Sequence, residues 1–182
     1  MNELRYANEL TKAMDIVCAN NRTMFIGQSV ASPGTAMFNT LKNVPQNQRL
    51  ELPVAEEFQL GMTLGLALAG AQIVSIFPRW NFLLLAMNQL VNHLDKRLEL
   101  FSRQGANVPV ILRTAIGSER PLHPGAQHTG DFSAAVVMMC PNIRVIDLND
   151  PDLVVESYID AMHATDRAAT ILVEHGDFYH EK

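Results

Sequence analysis

Apolar positions along this chain fall into two kinds of run that alternate. Leu4, Ala7, Met14, Val17 and Cys18 keep near-helical spacing, and Asn20-Asn21 supply a stop. The run Met24-Phe25-Ile26, closed by Gly27, is too short for a helix and predicts a buried strand. Four more such runs follow: Ile73–Phe77, Val108–Leu112, Ile143–Ile146 and Thr170–Val173. Between them lie helical stretches. One is predicted over Leu83–Phe101, where Met87, Leu90, Val91, Leu94, Leu98 and Phe101 step by three and four while Asn88, Asp95, Lys96 and Arg97 occupy other faces. A second covers residues 151–164, marked by Asp150 as N-cap and Pro151 in the first turn. Continuous apolar strands flanked by helices predict an α/β domain, a mainly parallel sheet sandwiched between two helical layers with right-handed crossovers. The polar stretch from Gly117 to Asp131 is the one long region without a clear period, and a loop of that length is usually functional.

Composition narrows the reading. With 182 residues, 48% hydrophobic and 18% charged, the chain has material for one sizeable core and reads as one domain over 1–182, without a second C-terminal domain. A net charge of -5 leaves no excess of cations for a phosphate backbone, so nucleic acid is not an expected partner. Cys18 and Cys140 stand too far apart for a zinc or CxxC motif and read as buried thiols in a reducing compartment. The N-terminus lacks the basic-then-apolar signal pattern, and no apolar run reaches the roughly 18 residues of a membrane helix, so the expectation is a cytoplasmic chain with no membrane partner.

Candidate chemistry begins at Leu52-Pro53-Val54-Ala55-Glu56-Glu57-Phe58, which leads into a segment rich in Gly and Ala. A carboxylate beside apolar walls loses hydration, which raises its proton affinity and suits it to acid–base work. Two acids in a first helical turn also have a plain role, complementing the helix dipole. Gly61, Gly65 and Gly70 predict close packing of that helix against a neighbour. Further on, Trp80 and Phe82 offer aromatic faces to a planar heterocycle, or simply fill core at a strand-to-helix join. Within the polar loop, His128 is suited to proton transfer or to an ordinary surface position. Arg120 and His123 carry the charge to meet a substrate carboxylate or phosphate. The spacing of His123 and His128 does not favour a metal, since Pro124-Gly125 break helical register and no cysteine joins them.

These motifs, in order, resemble the pyrimidine-binding domain of thiamine diphosphate enzymes, and most closely the β subunit of 2-oxo acid dehydrogenase E1 components. In that family Thr-Pro-Ile-x-Glu leads into a Gly- and Ala-rich helix, and Leu52-Pro53-Val54-Ala55-Glu56 stands in its place. An aromatic-Asn-Phe element opening a helix with Asp-Gln-Ile-x-Asn is matched by Trp80-Asn81-Phe82 and Asn88-Gln89-Leu90-Val91-Asn92. The family's Gln-His-Ser corresponds to Gln127-His128-Thr129, and the likeness extends from Arg5-Tyr6-Ala7 through Cys140-Pro141 to the strand ending in Glu174.

The resemblance implies thiamine diphosphate as cofactor. Glu56 would hydrogen-bond the aminopyrimidine N1′ and so promote the C2 carbanion, Phe82 would pack on the pyrimidine, and Trp80 would be a second wall or a shape-setting neighbour. His128 and Gln127 would face the substrate, joined by Arg120 and His123. The reaction implied is cleavage of a 2-oxo acid or ketose, with release or transfer of the acyl or ketol unit. The family's Gly-Asp-Gly element for Mg2+ and the diphosphate is missing, which implies a partner chain of the α type that carries it, in an α2β2 heterotetramer. An E1 β chain normally continues into a second domain that helps dock the acyltransferase core. Its lack favours a decarboxylase, an acyloin-forming or a ketol-transferring enzyme. Two alternatives stand beside this reading, a non-catalytic assembly subunit and a truncated first domain of an E1 β chain.

Overall fold

The computed structural model describes residues 5–101, 107–120 and 122–180. Leu4, placed above in the first helix, lies outside the described residues. Helix α1 (Arg5–Cys18) leads into β1 (Thr23–Gly27), followed by the short α2 (Ala36–Asn39), β2 (Arg49–Glu51), α3 (Glu56–Leu68) and β3 (Gln72–Phe77). Next come α4 (Trp80–Leu83), α5 (Arg97–Leu100), β4 (Val110–Ile116), α6 (Ser133–Met139), β5 (Ile143–Asp147), α7 (Pro151–His163) and β6 (Ala169–His175). The strands form one sheet in the order β2-β1-β3-β4-β6-β5, and every pairing is parallel.

The sheet is covered on both faces, and the period of two along each strand decides which residue goes where. Val74, Ile76, Ile111 and Leu172 pack with Leu10, Met14 and Val17 of α1 and with Tyr158 and Ala161 of α7. Phe77, Val110, Leu112, Ile171 and Val173 pack on the other side with Leu60 and Leu64 of α3, Trp80 and Leu83 of α4, and Val136 of α6. The three-layer α/β expectation therefore holds. The cap of α7 also holds, with Asp150 extended and its carboxylate accepting the Asp152 N–H at 2.9 Å.

Three expectations need correction. The stretch 83–101 is not one regular helix. It begins at Trp80, tightens to a 3-10 turn at Leu84–Ala86 and widens to a π turn at Gln89–Leu94 before α5. The wide turn rotates the residues after it relative to those before. Asp95 and Arg97, placed above on faces away from the apolar stripe, are both buried. Asp95 accepts from the Asn142 N–H at 2.9 Å, and Arg97 Nη2 donates to the Val108 carbonyl at 2.8 Å. The glycines of α3 do less within this chain than their spacing promised. Gly61 faces Gln89, but nothing lies within 4 Å of where a Cβ of Gly65 would stand, and Gly70 ends the helix at φ +94°. Cys18 is half-buried, whereas Cys140 is buried, and burial pushes its thiol up to about 11.

The only three tyrosines, Tyr6, Tyr158 and Tyr179, are all buried. Burial pushes each phenol well above its usual pKa, and the Glu174 carboxylate adds to the effect. The folded state therefore keeps these protons at pH values where the unfolded chain has lost them. Stability should be unaffected below about pH 10 and fall above it, by as much as about 4 kcal/mol per pH unit when all three contribute. Urea titrations across pH 9–11 check this. Phenolate absorbance rising before the loss of helical circular dichroism would contradict it.

Candidate functional site

Parallel sheets place ligands at the carboxyl ends of their strands, where the strand order reverses. Here β1 is flanked by β2 on one side and β3 on the other, so the reversal lies between β1 and β3. A cavity of 430 Å³ opens there. Its walls come from the segments after β1 (Gln28, Ser29), β3 (Pro78, Arg79, Phe82), β4 (Gly117, Ser118) and β6 (Tyr179). Gly27 turns the chain at the end of β1 with φ +141°, a conformation that suits glycine, and a Cβ there would collide with the Ile76 carbonyl.

Glu56 opens α3 and is only 6% exposed. Its Oε1 accepts from Gln28 Nε2 at 3.2 Å. Gln28 thus reaches both ways, since it also lines the cavity. Glu57, one residue on, is exposed and accepts from Asn88 Nδ2 at 2.7 Å. Glu56 further borders an open apolar hollow of 700 Å³ with Phe58, Met62 and Leu85. The paired acids so have opposite settings, one shielded and one solvated.

Phe82 is half-buried on the cavity wall and meets the His128 ring edge-on, centroids 5.7 Å apart. Two of the candidate residues, 46 positions apart, one in α4 and one in the polar loop, are therefore in contact. The others are less closely drawn in. Trp80 has no exposed surface, makes an edge-to-face contact with Phe132 at 6.5 Å and lines neither hollow, which is a shape-setting position and not a wall. Gln127 and His123 are exposed and also line neither hollow, and His123 Nδ1 accepts the Gly125 N–H at 3.0 Å. Arg120 is exposed, with its backbone N–H held by Asp177 at 2.9 Å.

Two residues of the site escaped the sequence reading. Gln28 follows a strand end with no motif around it. Arg79 sits next to the recognised Trp80-Asn81-Phe82 element, yet a single cation beside an aromatic run carries no signal of its own. Among the described residues, no group of three His, Cys, Asp or Glu is arranged to hold a metal ion, and no helix is long and apolar enough to cross a membrane.

An all-parallel sheet with an aromatic-walled cavity at its switch point, and a shielded carboxylate linked to that cavity through Gln28, is an α/β arrangement that suits ligand binding. The chain belongs to the transketolase pyrimidine-binding domain family, whose model matches residues 3–180. The mitochondrial pyruvate dehydrogenase E1 component subunit beta of Drosophila melanogaster is 27% identical over 154 residues, covering 82% of this chain and 41% of that one. The corresponding subunit of Gracilaria tenuistipitata var. liui is 27% identical over 156 residues, covering 83% and 47%. The chain thus spans less than half the length of these curated relatives. Among solved structures, a candidate thiamin diphosphate-dependent enzyme from Mycobacterium smegmatis superposes with a TM-score of 0.64 at 15% identity, over 93% of this chain and 31% of that one. The inactive beta4 tetramer of a split-gene transketolase gives 0.57 at 11% identity, over 94% and 50%. These two likenesses concern the fold.

Proposed function

We propose that this chain is the pyrimidine-binding subunit of a split thiamine diphosphate-dependent enzyme, acting with a separate chain that holds the diphosphate and Mg2+. The observation that carries the reading is Gln28, one side chain that lines the cavity containing Phe82 and also donates to the shielded Glu56. The residues fit the cofactor's pyrimidine: a carboxylate acceptor out of bulk water, an aromatic face, and no acid on the cavity wall. When bound, thiamine diphosphate would supply an acidic C2–H whose deprotonated form can add to the carbonyl of a 2-oxo acid or ketose, with the thiazolium ring as sink for the electron pair of the adjacent C–C bond.

The chain's own residues supply the rest. Glu56 holds a proton at the pyrimidine N1′, and shielding from water strengthens that hydrogen bond. Gln28 fixes the carboxylate's orientation. Phe82 orients the ring by offset stacking. His128, seated against Phe82, holds or moves a proton on the substrate side. The family membership, and the β-subunit identity of the curated relatives, support a partner of the α type with the Gly-Asp-Gly element and an α2β2 assembly.

Co-expression with the product of a neighbouring gene that encodes such a partner, followed by C2 exchange with thiamine diphosphate and Mg2+ and a screen of 2-oxo acids, tests the reading. Turnover is expected only with both chains present. Full turnover by this chain alone would overturn it.

Two substitutions should fail in different assays. Phe82→Ala should weaken thiamine diphosphate binding to the complex by about 1–3 kcal/mol, the scale of lost ring contact and apolar burial. His128→Ala should leave that affinity nearly intact and lower saturated turnover by roughly 100-fold, the scale of one positioned acid or base. Cofactor titration and saturated rates separate the two. If excess coenzyme restored the full rate to His128→Ala, that residue would be a support for Phe82 and not a proton carrier.

A further inference from the structure

Arginine side chains inside a protein normally find anions or carbonyls, because a desolvated cation without a partner is costly. The two fully buried arginines follow that rule. Arg113 is paired with the Glu174 carboxylate at 2.5 Å, and Arg97 donates to the carbonyls of Ala168 and Val108. Arg79 meets it only weakly. It is half-buried on the cavity wall, and among the described residues its one hydrogen bond is a long one, Nη1 to the His128 carbonyl at 3.4 Å. Among the described residues no carboxylate pairs with it. Burial lowers its pKa from the usual arginine value.

The place around Arg79 is built to receive its guanidinium. A Cβ at Gly117 would collide with both Arg79 Nη1 and the His128 carbonyl, so the bare glycine at the end of β4 leaves room for the group to lie there. Gln28, Ser29, Thr35 and Ser118 add hydroxyl and amide donors to the same walls, and neither Asp nor Glu lines them. A guanidinium has five N–H donors in a fixed fork that matches an oxyanion. Most of that fork is unused here.

We propose that Arg79 is a specificity-determining residue that binds the oxyanion group of the substrate, a carboxylate or a phosphate, in this cavity. Its tie to the His128 carbonyl places the anion beside the residue that serves the substrate side. The substrate is then an anionic carbonyl compound, and neutral carbonyl compounds of the same size are excluded. That substrate shares this cavity with the pyrimidine ring on Phe82 rests on the function proposed above, whereas anion binding by Arg79 does not.

The test therefore uses the full chain alone, without cofactor or partner. The Arg79 Nε–H resonance is assigned by its loss in Arg79→Lys, then followed by NMR during titration with inorganic phosphate, pyruvate and neutral hydroxyacetone. Saturable shifts with the anions and none with hydroxyacetone are expected. Affinity should drop about tenfold or more in Arg79→Gln and be partly kept in Arg79→Lys, which retains charge without the fork. Stronger binding of phosphate identifies a phosphorylated substrate, and stronger binding of pyruvate a carboxylate. Unsaturable shifts, or equal affinity in wild type and Arg79→Gln, would overturn the proposal and leave Arg79 as a prop for the His128 loop. If Arg79→Gln did not fold, the wild-type Nε–H titration and Arg79→Lys would decide. Anion binding here together with no C2 exchange in the two-chain assay would reject the proposed function while keeping Arg79.

Discussion

Glu56→Gln is expected to leave the fold and subunit assembly unchanged while slowing C2 hydrogen exchange of thiamine diphosphate in the two-chain complex by about 10²–10⁴-fold. The replacement keeps the size of the side chain, and an amide oxygen can still accept from Gln28 Nε2, now 3.2 Å from Oε1. What it removes is the ability to share a proton with N1′. Loss of a negative charge at the start of α3 costs only about 0.3–1 kcal/mol in helix stability, too little to unfold the chain. Glu57→Gln is the control, because Glu57 is exposed and its partners are the Asn88 and Gln89 side chains. Its exchange rate should stay within a few-fold of wild type. Normal exchange in Glu56→Gln combined with loss in Glu57→Gln would reverse the assignment of the two acids.

Their different settings could not be read from adjacency. Neighbouring residues at a helix start point about 100° apart, and only the packing of Gln28 and the α4 region decides which one is shielded. The family's motif order pointed to Glu56, and Glu56 is the shielded one of the two. The strands show the same division between what pattern carries and what it does not. Runs such as Ile73–Phe77 are buried on both faces and so read as continuous apolar segments. β2 was missed because Arg49-Leu50-Glu51 is a three-residue edge strand with Leu50 exposed, which has no apolar run to betray it. β4 was expected to stop at Leu112 but continues to Ile116, because Arg113 enters the interior with its counter-ion. Hydrophobic pattern treats a charge as a surface mark and has no means to see that Glu174, 61 positions on, will meet it. Arg79 and Gln28 were invisible for a related reason. Their meaning lies in what the strand ends bring together.

Arg113→Met is expected to destabilise the chain by about 3–5 kcal/mol, the cost of leaving one partner of a buried ion pair alone. Both side chains are fully buried. Arg113 Nε and Nη2 donate to the two oxygens of Glu174 at 2.5 and 3.1 Å. The Tyr158 hydroxyl adds a bond at 2.8 Å, and the Tyr179 hydroxyl donates to the second oxygen. Burial would lower the arginine pKa, but the Glu174 carboxylate holds it above the usual value, so Arg113 stays charged. Removing the guanidinium leaves Glu174 with only the two phenols. Arg113→Met combined with Glu174→Leu removes both charges and should recover much of the loss, although the two phenols then lack their acceptor. A double-mutant cycle by urea denaturation measures the coupling, and a value below about 0.5 kcal/mol would mean that the pair contributes nothing specific. Tyr179 ties this cluster to the site, since it lines the cavity and bonds Glu174. In the single variant, phosphate affinity at Arg79 should weaken under conditions where the chain is still folded, because Tyr179 keeps its bond to Glu174 but loses the Arg113 Nη2 donor at 3.3 Å, one of the two ties that hold this cavity wall.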